Sequence, residues 1–344
     1  MDLARSTGSD ALFSAKGLVI VITGGGTEFL STSIHTRSLS YRCSDLYGRA
    51  HPYPSSPFPG IGLAFAKSLL NAQAKKVYIL GRRLSVLQAS AAFIDPSAAV
   101  VTAIQCSVTD QASVAAAAAQ IEREVGFVDV LINNAGISGP EHRSAYAATD
   151  IKQVSEILSG SWEKWEGTFA TNTASVVGVS AAFLPLLEKG NERRGWKSGK
   201  LEAGGKGRER DVEVARRNGF EEGDLRLSQI LTVASIAGLM RNVAHGLAYC
   251  ASKAGAIHLG KILASMLAPW GIRSNVIAPG VFPSEMTEGA KLRWSFNEIP
   301  ANRQGVFEEM AGLILHLVGQ SGGYKNGAVE VIDGGRLSVY PASY

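Results

Sequence analysis

Short β-branched runs alternate with Ala- and Leu-rich stretches along this 344-residue chain, and this alternation constrains the fold more than any other feature. Strands that are buried on both faces of a parallel sheet read as continuous apolar runs, and each needs a helical crossover to the next. The pattern predicts a doubly wound α/β fold, with helices on both faces of a parallel seven-stranded sheet. The predicted strands are residues 18–22, 76–80, 99–104, 128–132, 229–233, 272–277 and 329–332.

Two long segments interrupt this alternation. Residues 28–59 are rich in Ser, Tyr and Arg and hold several prolines near their end, so neither a helix nor a strand is predicted there. Residues 188–226 carry 11 Lys+Arg and 9 Asp+Glu with glycines between them, which is typical of a charged, solvated and mobile insertion. The rest of the chain is close to the upper size of one core, about 250–300 residues. We therefore predict a single domain over residues 1–344 with these two insertions.

Composition argues against several classes of protein. With 46% hydrophobic and 19% charged residues, the chain is not expected to be disordered. A net charge of +4, spread over 34 Lys+Arg and 30 Asp+Glu, gives no basic footprint for nucleic acid. Three scattered cysteines predict neither a disulfide framework nor a metal site, and without a signal-peptide pattern they favour a reducing, cytoplasmic location. The uncharged run 167–187 contains polar residues, so we predict a buried helix and no membrane partner.

A glycine-rich turn follows the first predicted strand, but it is split in two. One piece, Thr23-Gly24-Gly25-Gly26, precedes the first insertion, and the other, Gly60-Ile61-Gly62, follows it. Joined, the pieces would form a strand, a turn and a helix whose glycines let the backbone approach a pyrophosphate at the helix N-terminus. Incidental glycines in two loops are the alternative, and the insertion could disrupt the turn. The predicted pyrophosphate contacts are Thr23, Gly24, Gly26, Gly60, Ile61 and Gly62.

Further signals lie at the carboxyl ends of predicted strands, where open α/β sheets bind their ligands. Arg82 follows the second strand, at the place where a ribose 2′-hydroxyl would meet Asp or Glu and a 2′-phosphate would meet Arg. It therefore favours NADP(H), with an ordinary surface arginine as the alternative. The compact turn Asn133-Asn134-Ala135-Gly136 follows the fourth strand, and Pro279-Gly280 follows the sixth.

Tyr249 and Lys253 place a phenol and an ammonium group one helical turn apart on the same face. A nearby cation favours the phenolate, so Lys253 is expected to lower the pKa of Tyr249 toward neutrality. The spacing predicts a proton donor, although the same spacing also occurs by chance on solvated helices.

Together these motifs resemble the short-chain dehydrogenase/reductase family over nearly the whole chain outside the insertions. The order of the glycine turn, the Asn133–Gly136 turn, Ser235, Tyr249-x-x-x-Lys253 and Asn275–Gly280 carries the resemblance. It is nearest in texture to fungal 3-oxoacyl-carrier-protein-reductase-like and rhamnolipid-biosynthesis-like reductases. The resemblance implies a Rossmann-like fold, a homodimer or homotetramer, and hydride transfer between NADP(H) and a small carbonyl or secondary alcohol substrate.

The resemblance also implies roles for single residues. Tyr249 would be the general acid or base, and Lys253 would lower its pKa and hydrogen-bond the nicotinamide ribose. Ser235 would donate a hydrogen bond to the developing oxyanion, and Asn172 would hold a water that connects Lys253 to solvent. Ser284 replaces a threonine that would hold the carboxamide. The other implied cofactor contacts are Asn133, Ala135, Gly136, Pro279 and Gly280.

Alternatives remain open at both levels. Ser235 could cap a turn, Asn172 could be a satisfied polar group in a buried helix, and Asn133 could serve only the sheet edge. The whole chain could be a non-catalytic dinucleotide-binding protein, or an inactive product because the glycine turn is interrupted. On one hypothesis residues 28–59 are retained noncoding sequence, because residues 53–59 permit pyrimidine-rich codons. The identity of the substrate is not predicted.

Overall fold

The computed structural model describes residues 8–25, 60–160, 162–287, 291 and 293–343. Within these ranges seven strands form one parallel sheet in the order β3-β2-β1-β4-β5-β6-β7, which confirms the predicted fold class. The strands are β1 (Val19–Thr23), β2 (Lys76–Gly81), β3 (Val101–Gln105), β4 (Val130–Asn133), β5 (Gln229–Val233), β6 (Arg273–Pro279) and β7 (Val329–Ile332). The predicted insertion 28–59, and Gly26 before it, lie outside the described residues.

Helices connect the strands and cover both faces of the sheet. They are α1 (Ser9–Leu12), α2 (Ile61–Asn71), α3 (Leu84–Ile94), α4 (Gln111–Val125), α5 (Ile151–Leu158), α6 (Trp162–Phe169), α7 (Ser175–Arg193), α8 (Val212–Arg217), α9 (Leu247–Leu267), α10 (Phe307–Val318) and α11 (Arg336–Val339). Shorter 3₁₀ turns include Arg143–Ala147 and Ile236–Gly238, and a π-helical turn, Ala170–Ala174, joins α6 to α7.

The core consists of two apolar layers, one on each face of the sheet. In β1 the side chains alternate between them: Ile20 and Ile22 pack with α2, α3 and α10, while Val19 and Val21 pack with α4, α7 and the end of α9. All five residues of β1 are buried. This two-sided burial explains why β1 reads as an unbroken apolar run, since neither face meets water.

Several predicted strands begin one or two residues before the observed ones. Leu18 and Val128, for example, are fully buried but precede β1 and β4. The backbone N–H of Leu18 donates to Ala15, and that of Val128 donates to Leu186, both outside the sheet ladder. An apolar pattern reports burial, whereas membership of a strand depends on the ladder hydrogen bonds, so the two limits differ.

The order of the strands reverses between β1 and β4. β1 pairs in parallel with both β2 and β4, although β3 separates β2 from β4 along the chain. The crossovers on either side of this point lead away in opposite directions, which opens a crevice at the carboxyl ends of β1 and β4. This crevice is where we look for the functional site.

Among the described residues, one helix, Trp162–Arg193, has the length and apolar composition of a membrane span. A single helix of this kind is weak evidence, because the core helix of a soluble protein passes the same test. This helix includes the run 167–187 and places Val179, Phe183 and Leu187 in the layer beneath the sheet. The prediction of a buried helix for this run therefore agrees with its packing.

The charges at both ends of residues 188–226 are not solvated as predicted, while the mobility of the segment stays a prediction. Asp129, at the start of β4, is fully buried and forms ion pairs with Arg193 at 3.0 Å and Arg194 at 2.9 Å. The guanidinium of Arg193 also lies between two aromatic rings, 3.9 Å from the centroid of Phe127 and 4.7 Å from that of Phe220. Charges that look solvated in the sequence are instead paired and stacked inside the protein.

The far end of the segment is fixed in the same way. Arg226 pairs with Asp224 at 2.6 Å, and both side chains are buried. Arg226 also donates to the carbonyls of Ser14 and Val318. The longest continuously exposed run is in the middle of the segment, at residues 200–207. Residues 188–226 thus close the amino edge of the sheet, opposite the crevice.

We predict that Asp129→Asn destabilises the fold by about 3–5 kcal/mol, because it leaves the buried Arg194 and the partly buried Arg193 without a carboxylate. Urea unfolding followed by circular dichroism measures this loss. The control is Glu122→Gln, which removes an exposed ion pair with Lys189 and is expected to cost far less, because water screens that pair. Equal losses in the two variants would contradict the assigned role of Asp129.

Candidate active site

The turn after β1 is tied to the turn after β4 by two side chains. The hydroxyl of Thr23 accepts hydrogen bonds from the backbone N–H groups of Asn134 at 3.0 Å and Ala135 at 3.1 Å. In return, the Asn134 side-chain amide donates to the carbonyls of Thr23 and Gly24, both at 3.0 Å. These four bonds fix the walls of the crevice relative to each other.

The structure brings the two pieces of the split glycine turn together. A Cβ at Gly62 would lie 2.7 Å from the Gly24 carbonyl and 2.6 Å from the Asn134 amide nitrogen, and a Cβ at Gly24 would lie 2.9 Å from Ala135 Cα. Side chains are therefore excluded at both glycines. Gly60 is the N-cap of α2 and Ile61 its first residue, and no described side chain caps this helix start. The helix N-terminus is thus available to an anion.

Arg82 lies at the end of β2, beside this turn. The backbone N–H of Gly24 donates to Leu80 at 2.7 Å, which joins the turn to the last residues of β2. The Arg82 side chain is exposed, and its carbonyl accepts from the Gln105 side chain at 3.0 Å. The residue directly after this strand is the one expected to meet a ribose substituent.

The turn after β4 leads directly to the predicted catalytic groups. A Cβ at Gly136 would lie 3.2 Å from both Asn172 Oδ1 and Lys253 Nζ. Asn133, by contrast, directs its buried side chain to Ser180, to which its amide donates at 3.1 Å. Its side chain therefore serves packing between β4 and α7, which agrees with the alternative stated for it.

Ser235, Tyr249 and Lys253 meet at the ends of β5 and α9. Tyr249 and Lys253 lie on the same buried face of α9, and Lys253 Nζ is 5.8 Å from the Tyr249 ring centroid. The Ser235 side chain lies close enough to the Tyr249 hydroxyl to act on the pKa of the phenol. Ser235 Oγ also accepts from the backbone N–H of Ala237, so the residue caps its turn and contacts the phenol. The three predicted residues form one constellation.

The expected lowering of the Tyr249 pKa is not found. Burial raises the pKa of Tyr249 above its ordinary value, against the opposite effect of the hydrogen bond with Ser235. Lys253 is buried as well, and burial lowers its own pKa to about 8. Its ammonium group donates to the carbonyl of Val233 at 2.9 Å. Desolvation therefore disfavours the charged form of both groups, which spacing alone does not reveal.

Asn172 lies in the π-helical turn and holds two neighbouring segments together. Its Oδ1 accepts from the Ile137 backbone N–H at 2.8 Å, and its amide donates to the Ile137 carbonyl at 2.9 Å and to Ser252 Oγ at 3.0 Å. The side chain is a satisfied buried polar group, which was the alternative to its predicted role with water. It joins the turn after β4 to α9.

The remaining predicted contacts lie on the far side of the crevice. Pro279 ends β6, and the backbone N–H of Gly280 donates to Ile332 at the end of β7. Ser284 follows, with its hydroxyl 3.2 Å from that of Thr287. Beside them, the chain end contacts the loop after Ser235: Ser343 donates to the Leu239 carbonyl, and Arg241 donates to that of Pro341, each at 2.8 Å.

Asn134 and Ser252 were missed as site residues in the sequence. Asn134 hydrogen-bonds the Gly24 half of the glycine turn and lies against Gly62 of the other half. Ser252 links Asn172 to the helix of Tyr249 through a bond to the Tyr249 carbonyl at 2.9 Å. Both stand inside motifs that were recognised. Their role depends on side-chain direction, which the motif does not specify.

We predict that Lys253 makes stability rise with pH above about pH 8. Its folded-state pKa, about 8, lies below the ordinary 10.5, so between these values the unfolded chain binds more protons than the folded chain. The free energy of unfolding of the parent relative to Lys253→Met should therefore rise by roughly 1 kcal/mol per pH unit in this window. Urea unfolding from pH 7 to 10 measures it. The control, Lys261→Met, removes an exposed lysine of the same helix. If the free energy of unfolding of the parent relative to this control rises equally with pH, the rise cannot be assigned to Lys253.

Comparisons with known proteins identify the family of this chain. The chain matches the short chain dehydrogenase family model over residues 58–195 and the Enoyl-(Acyl carrier protein) reductase model over residues 214–336. Short-chain dehydrogenase/reductase VdtF of Byssochlamys spectabilis is 35% identical, covering 98% of each chain. The rhamnolipids biosynthesis 3-oxoacyl-(acyl-carrier-protein) reductase of Pseudomonas aeruginosa is 30% identical over 80% of this chain and 91% of its own.

A solved structure shows the same architecture. The Pseudomonas aeruginosa RhlG/NADP active-site complex is similar with a TM-score of 0.66 and 26% identity, covering 94% of this chain and 98% of its own. The resemblance predicted from the motifs, including its fungal and rhamnolipid-related texture, is confirmed. The chain belongs to the short-chain dehydrogenase/reductase family of oxidoreductases.

Proposed function

We propose that the protein is an NADP(H)-dependent oxidoreductase that interconverts a carbonyl and a secondary alcohol. The observation that carries this proposal is the constellation of Ser235, Tyr249 and Lys253 at the same sheet edge as the glycine turn. A proton donor, an oxyanion donor and a cofactor cradle then meet in one crevice. The substrate is a small molecule whose identity stays open.

Family members bind a nicotinamide dinucleotide, and the residues present fit such a group. Within the described part of the chain no side chain caps the helix start at Ile61, and neither Gly24 nor Gly62 has room for a side chain. These groups would hold the pyrophosphate, with Ala135, Gly136 and Ser284 along the rest of the crevice. When bound, the nicotinamide supplies or accepts the hydride.

The protein's own part in the reaction is movement of a proton and stabilisation of charge. In the reduction, Tyr249 Oη would donate its proton to the carbonyl oxygen, and Ser235 Oγ would donate a hydrogen bond to the same oxygen. The raised pKa of Tyr249 keeps the phenol protonated before reaction. Lys253 Nζ lies 5.8 Å from the centroid of the Tyr249 ring. At this distance its positive charge would stabilise the phenolate that remains after the proton transfer.

Two observations support NADP(H) over NAD(H). Arg82 stands at the end of β2 with an exposed guanidinium, which suits a 2′-phosphate. The related RhlG structure is a complex with NADP.

We also propose a homodimer or homotetramer. Ile262, Met266 and Trp270 are each at least 40% exposed along the outer side of α9 and the turn after it. Such exposed apolar side chains suit a contact between subunits. Light scattering at micromolar concentration tests the oligomeric state of the protein.

The alternative of an inactive product rests on the interrupted glycine turn. The first family match begins only at residue 58, so β1 and the Gly24 half of the turn lie outside it. Against this alternative, Gly24 and Gly62 are in contact in the structure. Binding of NADPH to the full chain, compared with a variant that lacks residues 28–59, separates the two. Binding by the deletion variant alone would favour an inactive product.

We predict that Tyr249→Phe lowers kcat for carbonyl reduction by at least about 100-fold, because the variant lacks the proton donor. Loss of NADPH absorbance with a panel of ketones, including 3-oxoacyl thioesters, measures it. NADPH affinity should change little, since the ring is retained. A non-catalytic binding protein would bind NADPH without turnover in the parent, and an active Tyr249→Phe variant would overturn the mechanism.

We predict that Arg82→Ala weakens NADPH binding by about 10-fold or more while leaving NADH binding nearly unchanged, because only NADPH carries the 2′-phosphate. Cofactor fluorescence titration gives both dissociation constants. Arg123→Ala, which removes an arginine from the last turn of α4, is the control. Equal weakening of both cofactors would assign Arg82 a structural role.

A further inference from the structure

The helix that carries Tyr249 and Lys253 begins without a cap of its own. Its N-cap is Gly246, which has no side chain to accept from the free N–H groups of the first turn. The N–H of Leu247 donates instead to Nδ1 of His142, at 3.3 Å. His142 is 1% exposed and lies more than a hundred residues earlier in the chain. The Nδ1 atom of this imidazole is therefore the acceptor for the first turn of the helix.

The segment around His142 makes further contacts with the loop that precedes this helix. The backbone N–H of His142 donates to the His245 carbonyl, and the Tyr146 hydroxyl accepts from the N–H of Val243 at 3.1 Å. A Cβ at Gly246 would collide with the Pro140 carbonyl, so the two backbones are in direct contact there. We call residues 140–146, together with residues 243–247, the His142 clasp.

The His142 clasp also contacts α6 and the π-helical turn that follows it. Asn172 holds Ile137 by two hydrogen bonds, three residues before Pro140. The His142 ring packs edge-on against Trp165 of α6, with centroids 6.0 Å apart. A displacement of the loop before Tyr249 would therefore be opposed by contacts from α6 and the π-helical turn.

The clasp reaches the phenol through His245. The His245 ring packs edge-on against the Tyr249 ring, with centroids 5.3 Å apart and an interplanar angle of 77°. Burial and the nearby Arg143 lower the pKa of His245, while Glu141 acts in the opposite sense. The ring that faces Tyr249 is therefore uncharged at neutral pH, and it constrains the phenol by contact.

We propose that His142 is a positioning residue for the proton donor: through its bond to Leu247 and its hold on His245, it fixes where Tyr249 presents its hydroxyl. This inference rests on the proposed role of Tyr249. The phenol must meet both Ser235 and the substrate oxygen, and a misplacement of about 1 Å can cost a factor of about 100 in rate. We expect the loss of the Nδ1 acceptor to lower kcat more than the loss of the ring's volume does.

The test compares His142→Ala with His142→Asn, because the asparagine Oδ1 can take the place of the histidine Nδ1 as acceptor. We expect His142→Ala to lower kcat by about 10- to 100-fold, with little change in NADPH affinity. His142→Asn should restore kcat to within about 3-fold of the parent, since it keeps the acceptor. Rates are expressed per NADPH-binding site, so a loss of folded protein does not count. His258→Ala, which removes an exposed histidine of α9, is the control.

A second measurement does not depend on turnover. Hydrogen–deuterium exchange should be at least about 10-fold faster at residues 247–250 in His142→Ala than in the parent, because the helix start loses its partner. Residues 258–267 should be unchanged. If the parent reduces no carbonyl, the proposed function fails, while this exchange result still decides whether His142 holds the helix start.

Tyr146→Phe keeps the test decisive if His142→Ala does not fold. The Tyr146 ring is 64% exposed, so loss of its hydroxyl should leave the fold intact while releasing Val243. We expect a smaller fall in kcat, about 3- to 10-fold, with faster exchange at residues 243–247. A kcat equal to that of the parent in both His142→Ala and Tyr146→Phe would overturn the proposal. Equal losses of kcat in His142→Ala and His142→Asn would also overturn it. Parent-like kcat and exchange in Tyr146→Phe would overturn it if His142→Ala does not fold.

Discussion

Because the strands of the described sheet all run in one direction, their carboxyl ends lie at a single edge, and the site depends on this constraint. The glycine turn follows β1, the Asn134 turn follows β4, Ser235 follows β5 and Gly280 follows β6. Residues that are far apart in the chain therefore become neighbours at this edge of the sheet. The reversal of strand order beside β1 then opens the crevice between them.

This constraint explains which features could be predicted from the sequence. The number of strands and their direction follow from periodicity, which is a local property, and the meeting of Ser235 with Tyr249 was implied by the family resemblance. The charged segment 188–226 could not be predicted in this way, because its arginines depend on a distant carboxylate, Asp129. Composition records how many charges a segment has, but burial depends on where their partners lie. The Tyr249 pKa was mispredicted for the same reason, since desolvation is a property of the folded core.

The active-site edge is built by polar side chains that bind backbone. Thr23, Asn134 and Asn172 each bridge two segments through N–H or carbonyl groups. Side chains of this kind fix loops that have no regular secondary structure, and each bond is made in a buried or half-buried place where an unpaired group would be costly. The sequence shows that asparagines are present in these turns, but their hydrogen-bond partners appear only in three dimensions. The rigidity of the site therefore comes from these bridges as much as from the sheet.

The two bonds between residues 341–343 and Leu239–Arg241 have a practical meaning. Residues 341–343 are in direct contact with the loop that follows Ser235. A purification tag or fluorescent protein fused directly after residue 344 would lie beside that loop, where its linker can disturb these two bonds. Apparent substrate preferences measured on such fusions would then report on the linker as well as on the enzyme, so a cleavable tag is the safer choice for this protein.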